Sequence, residues 1–381
     1  MPNNNLDDYL KAANLSREDF AFVEAGQIQA DRIPDTPPIG FFRDAMRRFG
    51  RNKASVLSLA VVVLIAFFAI VGPFMDSFTY RQQNVKWDKL PPRVPYLEKL
   101  GIFNGTAVLT VQKANIETDY KIGYIKTIRE HNIKANGLDV PMADIVVDMY
   151  KLKGADDVYF WLGSDGLGRD LWTRLWRGAR ISLAMAFLAV FLNALIGVIY
   201  GAISAYYGKN TDLFMQRVIE IIGSIPLLPL LILFIIKFGT GIVPIVLALC
   251  ITGWIGMANL IRSQFYRYKG REYVLAAQTM GVRDRRVIFR HILPNAIGPA
   301  ITQTAISIPE FIMAESMLAY LGLGIQAPEA SVGVLLSEGQ QVLFSAPHLL
   351  LFPAIIISLL MLCFNLISGG LRDAFDPAQR G

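Results

Sequence analysis

Two long apolar runs limit what this chain can fold into more than any other feature. Residues 54–75 ("ASVLSLAVVVLIAFFAIVGPFM") carry no charged side chain over 22 residues, and residues 181–206 carry none over 26. As helices rising about 1.5 Å per residue they would be roughly 33 and 39 Å long, whereas the hydrocarbon core of a bilayer is about 30 Å thick. Both runs are therefore long enough to cross a membrane.

Further apolar blocks bring the number of predicted spans to six. They lie at 218–236, 242–261, 300–323 and 349–368. Hydrophobic residues make up 53% of the sequence and charged residues only 18%, which argues against a soluble protein. The sequence thus predicts an all-α, polytopic membrane protein with six transmembrane helices.

Lysine and arginine positions predict the orientation of these spans. Basic residues cluster just before the first span, at 43–53, and eight occur between 262 and 291, whereas 324–348 contains none. Short cytoplasmic loops are enriched in Lys and Arg. We therefore expect both termini and the 262–291 loop on the cytoplasmic side of a bacterial plasma membrane. The net charge of +6 then reflects topology, and no nucleic-acid partner is expected.

This topology divides the chain into segments. The predicted segments are a cytoplasmic tail at 1–53, a first span at 54–76, an extracytoplasmic insert at 77–168, a core of spans 2–6 at 169–371 and a cytoplasmic tail at 372–381. Phe42, Ala45, Met46 and Phe49 recur at helical spacing, which favours an interfacial helix near 40–53, although a plain basic flank explains the same residues. The insert is too long for a simple loop, and its "TAVLTVQ" at 106–112 is typical of a strand.

Prolines interrupt the later spans. Pro226 and Pro229 fall in the third, Pro244 in the fourth, and Pro299 and Pro309 in the fifth. Such breaks survive in a membrane only where protein or a water-filled cavity satisfies the freed backbone groups. This favours a bundle that lines a path over a simple anchor.

The loop "REYVLAAQTMGVRDRRVIFRHILPNAIGPAI" at 271–301 has the pattern of a docking element. Small Ala276 and Ala277 allow a partner to approach closely, Gly281 allows a bend between two short helices, and Pro294 opens the next span. Short helices with both a basic and an apolar face need lipid headgroups or another protein to pack against.

This loop resembles the EAA loop of permease subunits of binding-protein-dependent ABC importers, which docks into the ATPase subunit. The resemblance implies ATPase coupling through Glu272, Leu275, Ala276, Ala277, Gly281 and Pro294. Leu275 stands where the family has a glutamate, and His291 stands where an isoleucine is common. Residues 162–183, 318–339 and 346–377 are similar to segments of the dipeptide and oligopeptide permeases, C-type subfamily, whereas the insert at 77–160 is longer than the family's usual connection.

The resemblance also implies function and partners. It implies the importer permease fold and one membrane half of an ATP-driven peptide importer. The partners would be a homologous permease, two cytoplasmic ABC ATPases, an extracytoplasmic peptide-binding protein and membrane lipid. Nickel or another small solute is the alternative substrate.

The chain itself shows no sign of catalysis. It contains no G-x-x-x-x-G-K-[ST] sequence, so we expect ATP and Mg on the partner ATPases and no cofactor on this chain. His131, His291 and His348 are scattered, which predicts neither a metal site nor catalytic residues.

Acidic residues inside predicted spans are the remaining candidates for function. Glu220 lies in the third, and Glu310 and Glu315 in the fifth. A charge there costs about 2.5–3.5 kcal/mol on insertion scales, so each should face a partner or a wet cavity. Glu310 and Glu315 are tentative residues of the translocation path, with hydrogen bonds between helices as the alternative. They also suggest a rival function, proton-coupled secondary transport; a non-transporting scaffold is a second rival.

The stretch "GSDGLGRD" at 163–170 precedes the second span. Its glycine spacing matches neither a P-loop nor a dinucleotide-binding motif. We predict a tight outer turn followed by an interfacial helix, containing Leu171, Trp172, Leu175 and Trp176, before the span itself. Asp165, Gly168, Arg169 and Asp170 would then form an outer rim against which a binding protein or partner permease presses.

Overall fold

The computed structural model describes residues 41–135 and 138–375. The chain divides into a unit of residues 1–44 and a unit of residues 45–381. The second unit contains every helix and strand described below, except for residues 41–44 of the first helix. Of the predicted tails at 1–53 and 372–381, residues 1–40 and 376–381 lie outside the described residues.

Helices dominate the described part of the chain. In chain order they are α1 (Phe41–Phe49), α2 (Lys53–Val71), α3 (Ile116–Asp119), α4 (Met149–Leu152), α5 (Leu171–Tyr207), α6 (Lys209–Gly223), α7 (Leu227–Phe238), α8 (Ile242–Thr252), α9 (Ile255–Tyr268), α10 (Glu272–Thr279), α11 (Asp284–Arg286), α12 (Leu293–Tyr320), α13 (Val332–Gln341) and α14 (His348–Phe375). The helix predicted near 40–53 is present as α1, in which Ala45 and Phe49 are buried and Met46 is exposed.

Four stretches of helix in the described residues are long and apolar enough to cross a membrane. They are 53–74, 171–207, 242–268 and 348–375. Helices α6 and α7 together form a fifth candidate, bent by 76° where Pro226 caps α7. Helix α12 covers residues 300–320 of the predicted fifth span and is about 42 Å long, but its composition is more polar. The multi-span helical fold is confirmed, and the number six stays a prediction.

Helix α5 differs from its prediction. One unbroken helix of 37 residues, about 55 Å long, replaces the predicted interfacial helix followed by a span. Leu171, Leu175 and Trp176 are buried and do not lie free at a headgroup layer. The reason is tertiary packing: Trp176 stacks on Phe68 of α2, with ring centroids 5.0 Å apart.

The long helices pack around α5. Helices α2, α9 and α12 contact it, and α14 packs against α2, α12 and α13. At Gly201 of α5 any side chain would collide with the backbone of Ala258 in α9, so glycine sets the close approach of these two helices. We call the end of the bundle near Leu171 the insert end and the end near Tyr207 the loop end.

The insert folds on a three-stranded antiparallel sheet. Strands β1 (Thr106–Gln112), β2 (Tyr124–Ala135) and β3 (Leu138–Asp148) are ordered β1-β3-β2, with Thr106 opposite Asp148 and Gln112 opposite Met142. The strand predicted at 106–112 is therefore confirmed. On β3, Ala143, Ile145 and Val147 are buried at every second position, as expected for a strand with one covered face.

A second small core joins the insert to the outer turn. Leu90, Tyr150, Ala155 and Phe160 are buried together. The Tyr150 hydroxyl donates a hydrogen bond of 2.9 Å to the carbonyl of Pro91, and burial raises the pKa of Tyr150. The insert is thus a folded unit with its own apolar core, as its length suggested.

Candidate functional site

Helix α10 lies at the loop end with one face buried and the other open. Val274 is fully buried in the cluster that holds Ile261 and Phe265 of α9, and Ala277 is only 7% exposed. Leu275 of α10 and Met280, which follows the helix, are 49% and 82% exposed. The helix is therefore fixed to the bundle by one face, and exposed apolar side chains lie on and directly after its remaining surface.

Gly281 ends this helix in a conformation that favours glycine. Its φ is +75°, and its backbone N–H donates to Gln278 at 2.9 Å. The next residue, Val282, donates to Ala277 at 3.1 Å. A glycine in the left-handed region that closes a helix with such bonds is a common C-terminal cap. The predicted bend at Gly281 is confirmed by this geometry.

The second short helix expected after Gly281 is not separate. Helix α11 leads into a π-helical turn at Val287–Ile292, which continues directly into α12. Pro294 is at the second position of α12, directly after the π-helical turn. The side chains of Val287, Ile288 and Ile292 are buried. Because this segment packs in the core, α12 begins at Leu293, before residue 300, where the predicted span begins.

The predicted coupling residues do not all lie on one surface. Glu272 is exposed in the first turn of α10, where a negative charge interacts favourably with the helix N-terminus. Ala276 is exposed beside Leu275, whereas Ala277 faces the core. The structure brings Glu272, Leu275 and Ala276 together on the open part of α10, whereas Pro294 is exposed separately at the start of α12.

Asp212 joins three helices at the loop end. Its carboxylate accepts two hydrogen bonds from Arg262 of α9, at 2.7 and 2.6 Å, one from Ser204 of α5 at 2.5 Å and one from Tyr266 at 2.7 Å. Asp212 belongs to α6 and its side chain is 10% exposed. Bidentate pairing of this kind fixes geometry as well as neutralising charge.

The loop around α10 is tied to α5 on both sides. Before α10, Lys269 donates to the backbone carbonyl of Ala205 at 2.8 Å. After α10, Asp284 accepts a hydrogen bond of 2.7 Å from the Tyr206 hydroxyl, which in turn accepts one of 3.4 Å from Gln278. The loop therefore moves with the end of α5.

A cavity of about 240 Å³ lies halfway along the bundle, between α5, α8, α9 and α12. Its lining residues are Val190, Asn193, Ala194, Leu249, Gly253, Gly256, Met257, Gln303, Thr304, Ser307, Glu310, Phe311 and Ala314. Gln303, Ser307 and Glu310 are spaced i, i+4 and i+7 on α12 and so share one face. One of the two predicted path residues, Glu310, thus lines this cavity.

Glu315, the other predicted path residue, has different surroundings. It is almost fully buried and accepts hydrogen bonds from Ser331 and, at 3.3 Å, from Ser182 of α5. Ser182 also accepts a 3.2 Å bond from the backbone of Val332. This carboxylate holds α5, α12 and the start of α13 together, and it does not face the cavity.

The residues predicted as the outer rim are buried. Asp165 accepts a hydrogen bond of 2.6 Å from Arg169 and another from Arg174, and Arg174 also binds Glu338 through bonds of 2.7 and 3.1 Å. Because these residues are buried, they do not form the predicted surface for contact with another protein. At the tip of the turn Leu167 is instead exposed, at 41%.

Gly168 and Asp170 are also buried in this turn. Gly168 has φ +69°, and any side chain there would collide with the carbonyl of Asn84. Asp170 caps α5, since its carboxylate accepts a 2.7 Å bond from the Thr173 N–H. Burial raises the pKa of Asp170 to about 7. Both residues fix the entry to α5.

Sequence reasoning missed the acidic partners of these arginines. Glu329 accepts hydrogen bonds of 2.7 and 2.5 Å from Arg177, and this ion pair lowers the pKa of Glu329. Glu338 pairs with Arg174 in the same way. A signal was present: residues 324–348 contain acids but no Lys or Arg, opposite a turn rich in arginine.

The structure brings none of the three histidines together. His131 is in β2, His291 in the π-helical turn and His348 at the start of α14. Among the described residues there is no group of three or more His, Cys, Asp and Glu side chains that could hold a metal ion.

Comparison with known proteins identifies the family. Residues 195–381 match the family described as binding-protein-dependent transport system inner membrane component, and residues 40–92 match the N-terminal transmembrane domain of oligopeptide transport permease C. A solved structure of the MetNI methionine ABC transporter in inward-facing conformations is also similar, with a TM-score of 0.45 and 17% identity over 53% of this chain and 96% of that chain.

Relatives align with nearly the whole chain. The dipeptide transport system permease protein DppC of Bacillus subtilis is 34% identical over 95% of this chain and 93% of its own. The oligopeptide transport system permease protein OppC of Haemophilus influenzae is 34% identical over 98% and 100%, and that of Escherichia coli is 33% identical over 89% and 92%. The chain therefore belongs to the permease family of binding-protein-dependent ABC importers, within its dipeptide and oligopeptide permease C group.

Proposed function

We propose that this chain is one of two membrane subunits of an ATP-driven importer of peptides in a bacterial inner membrane. It forms half of the translocation path, and a homologous permease forms the other half. Two cytoplasmic ATPases hold ATP and Mg, an extracytoplasmic protein delivers the peptide, and this chain catalyses no reaction itself. The relatives named above, which are dipeptide and oligopeptide permeases, support the substrate class.

One observation carries the coupling part of this proposal. Helix α10 is anchored by Val274 and Ala277 while Leu275 and Met280 stay exposed. An exposed apolar patch at the end of a polar loop marks a protein contact. Because the loop is also bonded to α5 before and after α10, a push on α10 reaches the bundle.

This arrangement also supports the orientation and the mechanism. With α10 on the cytoplasmic side, both termini are cytoplasmic and the insert is outside. Closure of the ATPases around ATP would move α10 and, through Lys269 and Asp284, tilt α5 and open the path on the insert side. The Asp212 network keeps α5, α6 and α9 together during this movement.

The experiment that tests this proposal is co-purification followed by uptake. Met280→Asp should insert normally and lose the ATPases, because a charge replaces an exposed apolar contact. Phe344→Asp is the matched control, since Phe344 is fully exposed at the opposite end of the bundle and its replacement should leave the ATPases bound. Normal ATPase recovery with Met280→Asp would contradict the coupling role.

Substrate class is tested separately in proteoliposomes that contain both permeases, the ATPases and the loaded binding protein. Labelled di-, tri- and pentapeptides should enter in an ATP-dependent manner that survives a protonophore. Uptake of Ni²⁺ without uptake of peptides would assign the transporter to the alternative solute. Uptake that collapses with the protonophore and continues without ATPases would favour the secondary transporter.

A further inference from the structure

The Glu310 carboxylate lies far from both ends of α12 and has no partner among the described residues. It lies on α12 about 26 Å from the Leu293 end and about 15 Å from the Tyr320 end, taking 1.5 Å per residue. It is exposed on this chain, and it makes no hydrogen bond or ion pair with the described residues. A carboxylate at membrane depth is unfavourable by about 2.5–3.5 kcal/mol unless it meets water or a cation.

The walls of the cavity around Glu310 supply no such cation. None of its described lining residues is a lysine, arginine or histidine. Because Glu310 is exposed on this chain, its charge is compensated by water or by a cation that comes from outside the chain.

Other lining groups are hydrogen-bond acceptors. The side-chain oxygen Oδ1 of Asn193 is buried without a partner among the described residues. The Thr304 hydroxyl donates its proton to the carbonyl of Ala300 at 2.8 Å, so only its lone pairs remain for a ligand. Together with the carboxylate, these oxygens suit a ligand that donates several hydrogen bonds, while the amide N–H groups of Asn193 and Gln303 can also donate to it.

A primary ammonium has these properties, since it carries one positive charge and three N–H donors. A bound metal ion fits less well, because the cavity holds one carboxylate and no histidine or cysteine. Val190, Leu249, Met257 and Phe311 form an apolar wall beside the polar groups. A volume of about 240 Å³ accommodates an amino group and the residue that carries it.

We propose that this cavity binds the α-ammonium group of the peptide in transit, with Glu310 as its counter-ion and Asn193 and Thr304 as further acceptors. The proposal rests on the peptide-import function proposed above. It makes the permease itself selective for a free amino terminus, independently of the binding protein.

The test uses the assembled complex of both permeases and the ATPases in nanodiscs, without binding protein. The probes are two trialanine peptides with a neutral fluorophore at the carboxyl end, one with a free and one with an acetylated amino terminus, and binding is followed by fluorescence anisotropy. The wild type should bind the free-amine peptide about 10- to 100-fold more tightly, as expected for hydrogen bonds to charged groups.

Three variants separate the charge from other effects. Glu310→Gln should bind both peptides equally, and Glu310→Asp should keep most of the preference. Glu315→Gln removes a carboxylate from the same helix but outside the cavity, and should leave the ratio unchanged.

Other outcomes would overturn the proposed ammonium site. A wild-type preference that survives in Glu310→Gln overturns the site. The site is also overturned if the Glu310→Gln complex loses the partner permease and keeps the preference for the free amine. In that case Glu310 pairs with the partner permease. Wild-type uptake is measured in parallel: uptake without amine preference overturns only the ammonium site, whereas no uptake of any peptide overturns peptide import and the site with it.

Discussion

Asp212 and Arg262 are joined by two hydrogen bonds, of 2.7 and 2.6 Å, that link α6 to α9 at the loop end. Arg262→Ala should lower the free energy of unfolding by about 1.5–3 kcal/mol, because a largely buried carboxylate loses its charged donor. Thermal melting of the purified complex measures this change. ATP-driven uptake should fall as well, since α5, α6 and α9 would no longer move together.

The control for this variant is another ion pair of the same helix. Arg217 and Glu220 are bonded at 2.5 Å, but their side chains are 66% and 59% exposed. An exposed pair contributes about 0.2–1 kcal/mol, so Arg217→Ala should change little. Equal effects of the two arginine variants would count against the bracing role of Asp212.

Replacing Gly281 should affect ATPase binding more than it affects the fold. Gly281→Ala places a Cβ in open space but at φ +75°, which should cost about 1–2 kcal/mol and shift the end of α10. Gly239→Ala is a matched control, because Gly239 has φ +78° and equally open surroundings between α7 and α8. Gly239→Ala should be destabilised at least as much, because at ψ −179° Gly239 has a conformation that is essentially confined to glycine. Gly101→Ala in the insert is the closer control, since Gly101 is left-handed with φ +79° and has open surroundings. Only Gly281→Ala should lose ATPases on purification; loss with either control would show that the loop has no special role.

Cysteine labelling can test the orientation. In a background with Cys250→Ala and Cys363→Ala, Leu167→Cys should react with a membrane-impermeant maleimide in spheroplasts, and Met280→Cys should react only after permeabilisation. Asp165→Cys should stay unreactive in both conditions, because that position is buried. Labelling of Met280→Cys from outside would reverse the proposed topology.

The raised pKa of Asp170 should make stability depend on pH. Between its ordinary value of 3.8 and about 7, the folded chain keeps a proton that the unfolded chain has released. Stability from this group is therefore present at low pH and falls as pH rises through that window. Asp170→Asn keeps a capping side chain without the charge, so its melting temperature should fall less between pH 5 and pH 7.5; an identical fall in both proteins would contradict the assignment.

The helical architecture was predictable because apolar runs longer than a bilayer have few other ways to fold. Gly281 and Ala276 could be placed on a loop helix from their spacing alone. The strand at 106–112 followed from its β-branched composition. In each case the signal is local and lies within one segment of the sequence.

Long-range pairing was not predictable from a single sequence. The turn at 163–170 was expected to be an exposed rim, and Arg169 and Arg174 are buried because acids from the same turn and from α13 neutralise them. In the sequence Glu310 and Glu315 are both acids of one predicted span. In the structure Glu310 lines a cavity, whereas Glu315 is hydrogen-bonded to two serines. Only the packing of α5 against α12 separates the two.

Helix α5 extends without a break from Arg174, in the buried cluster at the insert end, to Ser204, which binds Asp212 at the loop end. These 30 residues span about 45 Å. A rigid rod of that length that pivots at one end moves its far end by about 8 Å for a tilt of about 10°, by the geometry of a straight helix. A small rotation at the loop end is thus amplified into a displacement about as large as the width of an extended peptide, with no need for a joint along the way.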